Sequence, residues 1–307
     1  MSRNGPSNTS ADDSLRHNRR DSQAGRSRTA LVTGAGRGIG RAIAIAFAHA
    51  GYNVACVSRT RSEVENVAAV INLTTPYEAG AFVCDCSDAN ALHTLVRDVR
   101  RWNDRPVHVL VNNAGCARVE AVEHQSSMTP WQRIMDTNLN GPVALIYQLL
   151  PDMLARESGV LISIGSRNAI YTVPYMSAYS VSKTGLFRFH QNLQREIGDR
   201  GVANFFVVPG LVASSILEPE DAIDRASVDA IPGVRRTVEY LTGAKMGSAE
   251  PVANLCVRLA LDDSLRLLSG RFVDTEDNLE TILEDLRQGE QSRCVTENLY
   301  MMRVDKL

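Results

Sequence analysis

The sequence predicts an α/β fold in which a parallel sheet carries helices on both faces. Three observations support this. Apolar, partly β-branched runs recur at 29–33, 53–58, 80–84, 107–111, 159–164 and 203–208. Longer segments with helical apolar spacing lie between them, as at 38–50, 88–102, 130–156 and 178–198. The short runs are nearly continuous in apolar character, as strands covered on both faces are. Strands and helices in alternation build βαβ units and hence parallel strands.

The elements follow in order. The first 28 residues are rich in Ser, Asn, Arg and Gly and carry almost no large apolar side chains. They bury too little to offset chain entropy, so a disordered tail over 1–28 is expected. No secretory apolar region is present, and Asp12, Asp13 and Asp21 count against a transit peptide. Cytoplasmic placement is the expectation. A single α/β domain then spans 29–273. Within it, 211–250 mixes Pro, Gly and both charge signs and reads as an inserted loop or helix pair. A C-terminal extension over 274–307 holds one short amphipathic helix, where Leu279, Ile282, Leu283 and Leu286 keep i, i+3, i+4, i+7 spacing.

A chain of 307 residues with 44% hydrophobic content suits a globular protein with a substantial core. Its net charge of −2 gives no electrostatic reason to expect nucleic acid or an acidic membrane as partner. No apolar run reaches the ~18–20 residues that span a bilayer. The six cysteines, Cys56, Cys84, Cys86, Cys116, Cys256 and Cys294, form no CxxC pair and have no His cluster nearby. No metal site is therefore expected. Cys84 and Cys86 read as small core residues on one face of the third strand.

The stretch TGAGRGIG, Thr33 to Gly40, sits between the first strand and the first helix. A glycine turn there is either a plain connection or a phosphate cradle. The strand–turn–helix context favours the cradle, formed by Gly34, Gly36, Arg37, Gly38, Ile39 and Gly40. Glycine lets backbone N–H groups approach a pyrophosphate, and the helix N-terminus favours its charge. The second strand ends in Ser58-Arg59, where dinucleotide folds that take NAD place a carboxylate. A guanidinium there, with Arg37 in the turn, suits a 2′-phosphate, so NADP(H) is the expected cofactor. The alternative is that both are ordinary surface arginines.

Tyr179 and Lys183 are four apart and share a helix face. An ammonium beside a phenol favours phenolate and makes the tyrosine useful as acid or base. Such a pair alone is common. It stands here with the TGxxxGxG turn, NNAG at Asn112–Gly115, Asn138 in DTNLNG, Ser166 thirteen positions before Tyr179, and Pro209-Gly210. With these motifs the chain resembles the short-chain dehydrogenase/reductase family over roughly 29–273. It is closest in style to ketoacyl-carrier-protein-reductase-like members and fungal secondary-metabolite reductases.

The resemblance implies a Rossmann-type doubly wound sheet and a set of roles. Tyr179 is the proton donor or acceptor, and Ser166 hydrogen-bonds the same substrate oxygen. Lys183 holds the nicotinamide ribose and depresses the tyrosine pKa. Asn138 supports a water chain to the lysine. Asp85 meets the adenine edge, and Asn112, Ala114 and Gly115 lie along the adenosine ribose. Pro209 and Gly210 pass beside the nicotinamide, and Ser214 takes the place of the family's usual Thr there. A homodimer or homotetramer, built on the long helices at 130–156 and 178–198, is also implied. Bland readings stay open: Asn138 as a core-bonded amide, Asp85 as a helix cap, and Asn112 and Asn113 as fasteners between strands.

Two departures from the family pattern matter. Arg167 follows Ser166 directly, and it either faces the cleft as an anion-binding group or faces outward as a surface charge. The C-terminus reads SGRFVDTEDNLE and continues about thirty residues further. The family's substrate pocket corresponds here to Ile170, Tyr171, Val173, Tyr175, Met176, Ile216, Leu217 and Ile231, an apolar set suited to a hydrophobic small molecule. The leading expectation is an NADPH-dependent carbonyl reductase of secondary metabolism. Its alternatives are alcohol oxidation, imine reduction or cyclisation with the same cofactor, and a non-catalytic nucleotide-binding scaffold.

Overall fold

The computed structural model describes residues 28–213, 215–297 and 299–301. The tail expected over 1–28 lies outside them, except for Arg28, which opens the first strand. The strands are β1 (Arg28–Thr33), β2 (Tyr52–Ser58), β3 (Ala79–Val83), β4 (Val109–Asn112), β5 (Gly159–Ile164), β6 (Val202–Val208) and β7 (Phe272–Asp274). They form one sheet in the order β3-β2-β1-β4-β5-β6-β7, parallel throughout. The expected doubly wound α/β fold is present. Each of the six expected runs falls on a strand within two residues. β7 is an addition: three residues are too few to carry a period.

The helices are α1 (Gly38–His49), α2 (Arg61–Thr74), α3 (Ala89–Asn103), α4 (Thr129–Met135), α5 (Gly141–Ala155), α6 (Ser177–Ile197), α7 (Arg225–Ala230), α8 (Pro232–Gly243), α9 (Glu250–Leu261), α10 (Leu279–Leu286) and α11 (Arg293–Thr296). Strand alternation sorts them into two layers. Ala30, Val32, Val54 and Cys56 join Ile43 and Phe47 of α1, Val67 of α2 and Leu259 of α9 in one core. Leu31, Ala55 and Val57 join Leu92 of α3, Leu149 of α5 and Leu193 of α6 in the other. Each fully buried Leu, Ile or Phe contributes about 1.5–3 kcal/mol, which fixes the register of every strand.

Three segments differ from the sequence reading. The stretch 130–156 is helical without a break to Ala155, but a π-turn over Asp136–Asn140 interrupts its α geometry between α4 and α5. Cys84 and Cys86 are buried as expected but lie past the end of β3, on either side of Asp85, rather than on one strand face. The segment 211–250 is a helix pair, α7 and α8. The Asp224 side chain accepts from Ser227 N and caps α7. Arg118, in the chain after β4, fastens this pair through Asp224 at 3.0 Å and is itself paired with its neighbour Glu120.

In the C-terminal extension, Leu279, Ile282, Leu283 and Leu286 of α10 are all buried against the α1–α9 layer. Arg271 donates to Cys294 O at 3.1 Å and Leu299 O at 2.6 Å, and Phe272 N donates to Tyr300 O at 3.0 Å. Cys294, Leu299 and Tyr300 are thereby tied along the β7 edge.

Candidate functional site

The strand order reverses between β1 and β4, and ligands of open parallel sheets bind at the carboxyl ends beside such a reversal. The two turns there are bonded to each other. Thr33 Oγ1 accepts from Asn113 N at 3.0 Å and Ala114 N at 3.1 Å. Asn113 Nδ2 donates to Thr33 O at 2.9 Å and Gly34 O at 3.2 Å. Gly34 and Gly38 take positive φ, 65° and 54°, which side chains rarely adopt. A Cβ on Gly34 would stand 2.8 Å from Asn113 Nδ2, and one on Gly40 would stand 2.1 Å from Gly34 O. The helix end that follows suits an anion: α1 has no side-chain cap and no acidic residue in its first turn.

A cleft of about 340 Å³ opens above these turns. Gly34, Gly36, Arg37, Gly38, Ile39, Ser58, Arg59, Asp85, Ala114, Gly115, Ser166, Tyr179, Lys183, Pro209 and Gly210 all line it. The residues expected from the sequence are thus brought together, with four exceptions. Gly40 lies behind the turn, where it allows the close approach of α1 to β1. Asn112 does not line the cleft. As the last residue of β4 its side chain is buried in the core, donating to Pro142 O at 3.4 Å. Its neighbour Asn113 faces the cleft instead. Asn138 is fully buried beneath it. Ser214 lies outside the described residues.

Asp85 is oriented by Ser87, whose N–H and hydroxyl donate to Oδ1 at 2.9 and 2.8 Å. Burial pushes this carboxyl up, but the two Ser87 bonds and the charges of Arg59 and Arg133 outweigh it and hold it below its ordinary range. The cap of α3 is Asp88, not Asp85. Asp85 is thereby left to face the cleft.

The part of the cleft lined by Ser166, Tyr179 and Lys183 is built on β5 and α6. Ser166 follows β5 and caps a short turn, its Oγ accepting from Asn168 N at 3.2 Å. Ser163, the other serine nearby, is buried and bonded to His190 Nε2 at 2.7 Å, so it takes no part in the cleft. Tyr179 and Lys183 lie one turn apart on α6, with Nζ 5.7 Å from the phenol ring centre. Lys183 Nζ donates to Ile164 O at 2.8 Å. Burial pulls this lysine down from 10.5 to about 8. Burial also pushes Tyr179 up, against a hydrogen bond with Ser166 that favours the phenolate. The phenol therefore holds its proton more firmly than a free tyrosine. The depression implied by the family resemblance is not seen in this structure, because desolvation dominates.

Asn138 sits in the π-turn, which swings its amide inward. Such turns are frequent at functional sites. Its Nδ2 donates to Cys116 O at 2.8 Å and Ser182 Oγ at 3.1 Å, and its Oδ1 accepts from Cys116 N at 2.9 Å. These bonds join the chain after β4 to α6, one residue before Lys183. Gly115 lies between: a Cβ there would be 3.4 Å from Asn138 Oδ1 and 3.9 Å from Lys183 Nζ.

The wall opposite the glycine turn is apolar. Ala117, Met176, Ile216, Leu217, Leu241 and Met246 line it. Val173, Tyr175 and Ile231 pack around the same cluster. Of the eight residues expected in the pocket, only Met176, Ile216 and Leu217 line the cleft: Val173, Tyr175 and Ile231 pack in the cluster without lining it, and Ile170 and Tyr171 are exposed, because the short turn after Ser166 carries them outward. Arg167 neither faces the cleft nor stands free. Nε donates to Asp274 at 2.9 Å and Nη2 to Glu276 at 2.6 Å, tying the turn that follows Ser166 to the end of β7.

Sequence reasoning missed Glu63, Asn113, Leu241 and Met246, which all line the cleft. Asn113 was visible in NNAG, but strand alternation at the end of β4 was needed to choose it over Asn112. Nothing in the sequence around α8 marked Leu241 and Met246.

Comparison with known proteins agrees with this geometry. The short chain dehydrogenase family model matches residues 28–223. A short chain dehydrogenase of Pseudocercospora fijiensis is 33% identical over 279 residues, 90% of this chain and 89% of its own length. The 3-oxoacyl-[acyl-carrier-protein] reductase FabG of Staphylococcus aureus is 29% identical over 248 residues, 80% of this chain and 95% of its own. A crystal structure assigned as an NAD(P) dependent gluconate 5-dehydrogenase from Beutenbergia cavernae, with bound NADP, superposes with a TM-score of 0.67 at 29% identity, covering 81% of this chain and 94% of that one. Matched by this family model over more than half of its length, the chain belongs to the short-chain dehydrogenase/reductase family of NAD(P)-binding oxidoreductases.

Proposed function

We propose that this chain is an NADPH-dependent reductase that converts a carbonyl of a hydrophobic small molecule to an alcohol, in secondary metabolism. One observation carries the reading: a single cleft has the glycine turn at one end, an apolar wall at the other, and Ser166, Tyr179 and Lys183 between them. The dinucleotide supplies the hydride. Gly34, Gly36 and the uncapped start of α1 suit its pyrophosphate, Asp85 its adenine edge, and Arg59 with Ser58 and Arg37 its 2′-phosphate. Pro209 and Gly210 border the nicotinamide end.

Ser166 and Tyr179 present hydroxyl groups to the carbonyl oxygen, and Tyr179 gives that oxygen its proton as charge develops. Lys183 favours the resulting phenolate. Asn138 acts through Cys116 and Ser182, holding the floor on which Lys183 stands. The apolar wall supports a substrate with few polar groups. The resemblance to a 3-oxoacyl reductase supports a ketone as the reacting group. Alcohol oxidation is the reverse of the same step. Arg167 is engaged by Asp274 and Glu276, so the residue that kept imine reduction or cyclisation in view offers no cation to the cleft. Association of two or four copies is proposed through the outer faces of α5 and α6, where Tyr147 is 66% exposed and packs beside Phe189.

The test is NADPH oxidation over a panel of aromatic and polycyclic ketones, with wild type and Tyr179→Phe. Turnover of at least one ketone, falling about 10²–10⁴-fold in the variant, is expected. Equal rates in the two proteins would remove Tyr179 as the proton donor.

A further inference from the structure

The end of β2 carries no carboxylate in sequence, and that absence favoured a phosphorylated cofactor. The fold brings a carboxylate to the same corner from elsewhere. Glu63, in the first turn of α2, lines the cleft beside Arg59 and Thr60. A Cβ on Gly36 would stand 2.8 Å from Glu63 Oε2 and 3.0 Å from Ser58 Oγ, so both oxygens converge on the glycine turn from the β2 side. The Ser58 hydroxyl is engaged by Thr60, donating to its O at 3.2 Å and accepting from its N–H at 3.1 Å. Glu63 and Arg59 make no hydrogen bond or ion pair with each other or with any other described residue. Arg37 is shared with Glu218 of the helix-pair segment at 3.8 Å.

The corner that faces the adenosine ribose thus holds both charge signs. A carboxylate there accepts a hydrogen bond from a ribose 2′-hydroxyl. The same carboxylate repels a 2′-phosphate, which carries more than one negative charge near neutrality. Arg59 acts in the opposite sense.

We infer that Glu63 is a specificity-determining residue of this chain. Its carboxylate stabilises the unphosphorylated dinucleotide and opposes the phosphorylated one, so that both cofactors bind and Glu63 limits the preference that Arg59 creates. The inference rests on the dinucleotide-binding reading of the cleft. It goes beyond that reading by assigning selectivity to a residue on α2 rather than to the end of β2.

The test is a fluorescence titration of the full chain with NADPH and with NADH, on wild type, Glu63→Gln and Glu63→Ser. Binding is read directly, so no substrate is needed. Removing the negative charge is expected to tighten NADPH and weaken NADH, changing the ratio of the two affinities by about tenfold, with a smaller change in 0.5 M salt as the charges are screened. Both variants should shift the ratio the same way. A ratio within about twofold of wild type in both variants, or a parallel loss of both cofactors, would overturn the role of Glu63 while leaving the dinucleotide site standing. Failure of wild type to bind either cofactor would overturn the dinucleotide reading itself and the inference with it.

Discussion

Replacing Lys183 by Met removes a buried ammonium while keeping an unbranched side chain of similar length. Burial lowers the lysine from 10.5 to about 8. The unfolded chain therefore keeps a proton that the folded chain gives up between pH 8 and 10.5. Wild-type stability climbs with pH across that window. At 1.36 kcal/mol per pKa unit the full climb is about 3 kcal/mol. Lys183 is only 4% exposed, so solvent screening takes little from this figure. Lys183→Met has no such proton to lose. Its own bond deficit, the Ile164 carbonyl left without its donor, costs about 1–3 kcal/mol at every pH. The assay is urea unfolding of both proteins at half-unit steps from pH 7 to 10.5, without cofactor. The difference in unfolding free energy should move in favour of wild type by about 3 kcal/mol over the range. A difference flat to within about 0.5 kcal/mol would show that the ammonium is not desolvated as the geometry requires.

Three further outcomes follow from the same structure. If the chain acts by the proposed mechanism, reduction draws on the Lys183 ammonium and its rate should fall tenfold per pH unit above about 8; a plateau to pH 10 would exclude Lys183 as the titrating group. Gly40→Ala puts a Cβ 2.1 Å from a backbone oxygen that cannot yield, so a loss of about 1–3 kcal/mol in thermal unfolding, with weaker cofactor binding, is expected. Wild-type values for both would refute the close approach of α1 to β1. His190 is fully buried between Ser163 and Asn204, and burial lowers it from 6.5 to about 4. The unfolded chain takes up this proton first as pH falls, so stability should drop by about 3 kcal/mol between pH 6.5 and 4. His190→Gln should flatten that slope in acid unfolding, and an unchanged slope would assign it to other groups.

Much of the sheet was legible because strands covered on both faces leave continuous apolar runs, as ALV at 30–32 does. The glycine turn and the Tyr179–Lys183 pair were legible because their spacing is local. What escaped was set by residues distant in sequence or by geometry without a period. Asn138 reads as part of one long helix, and only the π-turn shows why its amide points at Cys116. Arg167 reads as a cleft or surface charge until Asp274, more than a hundred positions on, arrives beside it. Glu63 looks like any acidic residue in the first turn of a helix. Its nearness to Gly36 depends on how α2 leaves β2. Ile170 and Tyr171 look like pocket residues until the turn after Ser166 directs them to solvent.

The tie between residues 294–300 and β7 reaches the cleft through a single short strand. Arg271 and Phe272 find their partners at Cys294, Leu299 and Tyr300. At the far end of the same three residues, Asp274 pairs with Arg167 in the turn that follows Ser166. β7 therefore stands between the C-terminal segment and the cleft, and local opening of that segment at the sheet edge would loosen the support of the Ser166 turn.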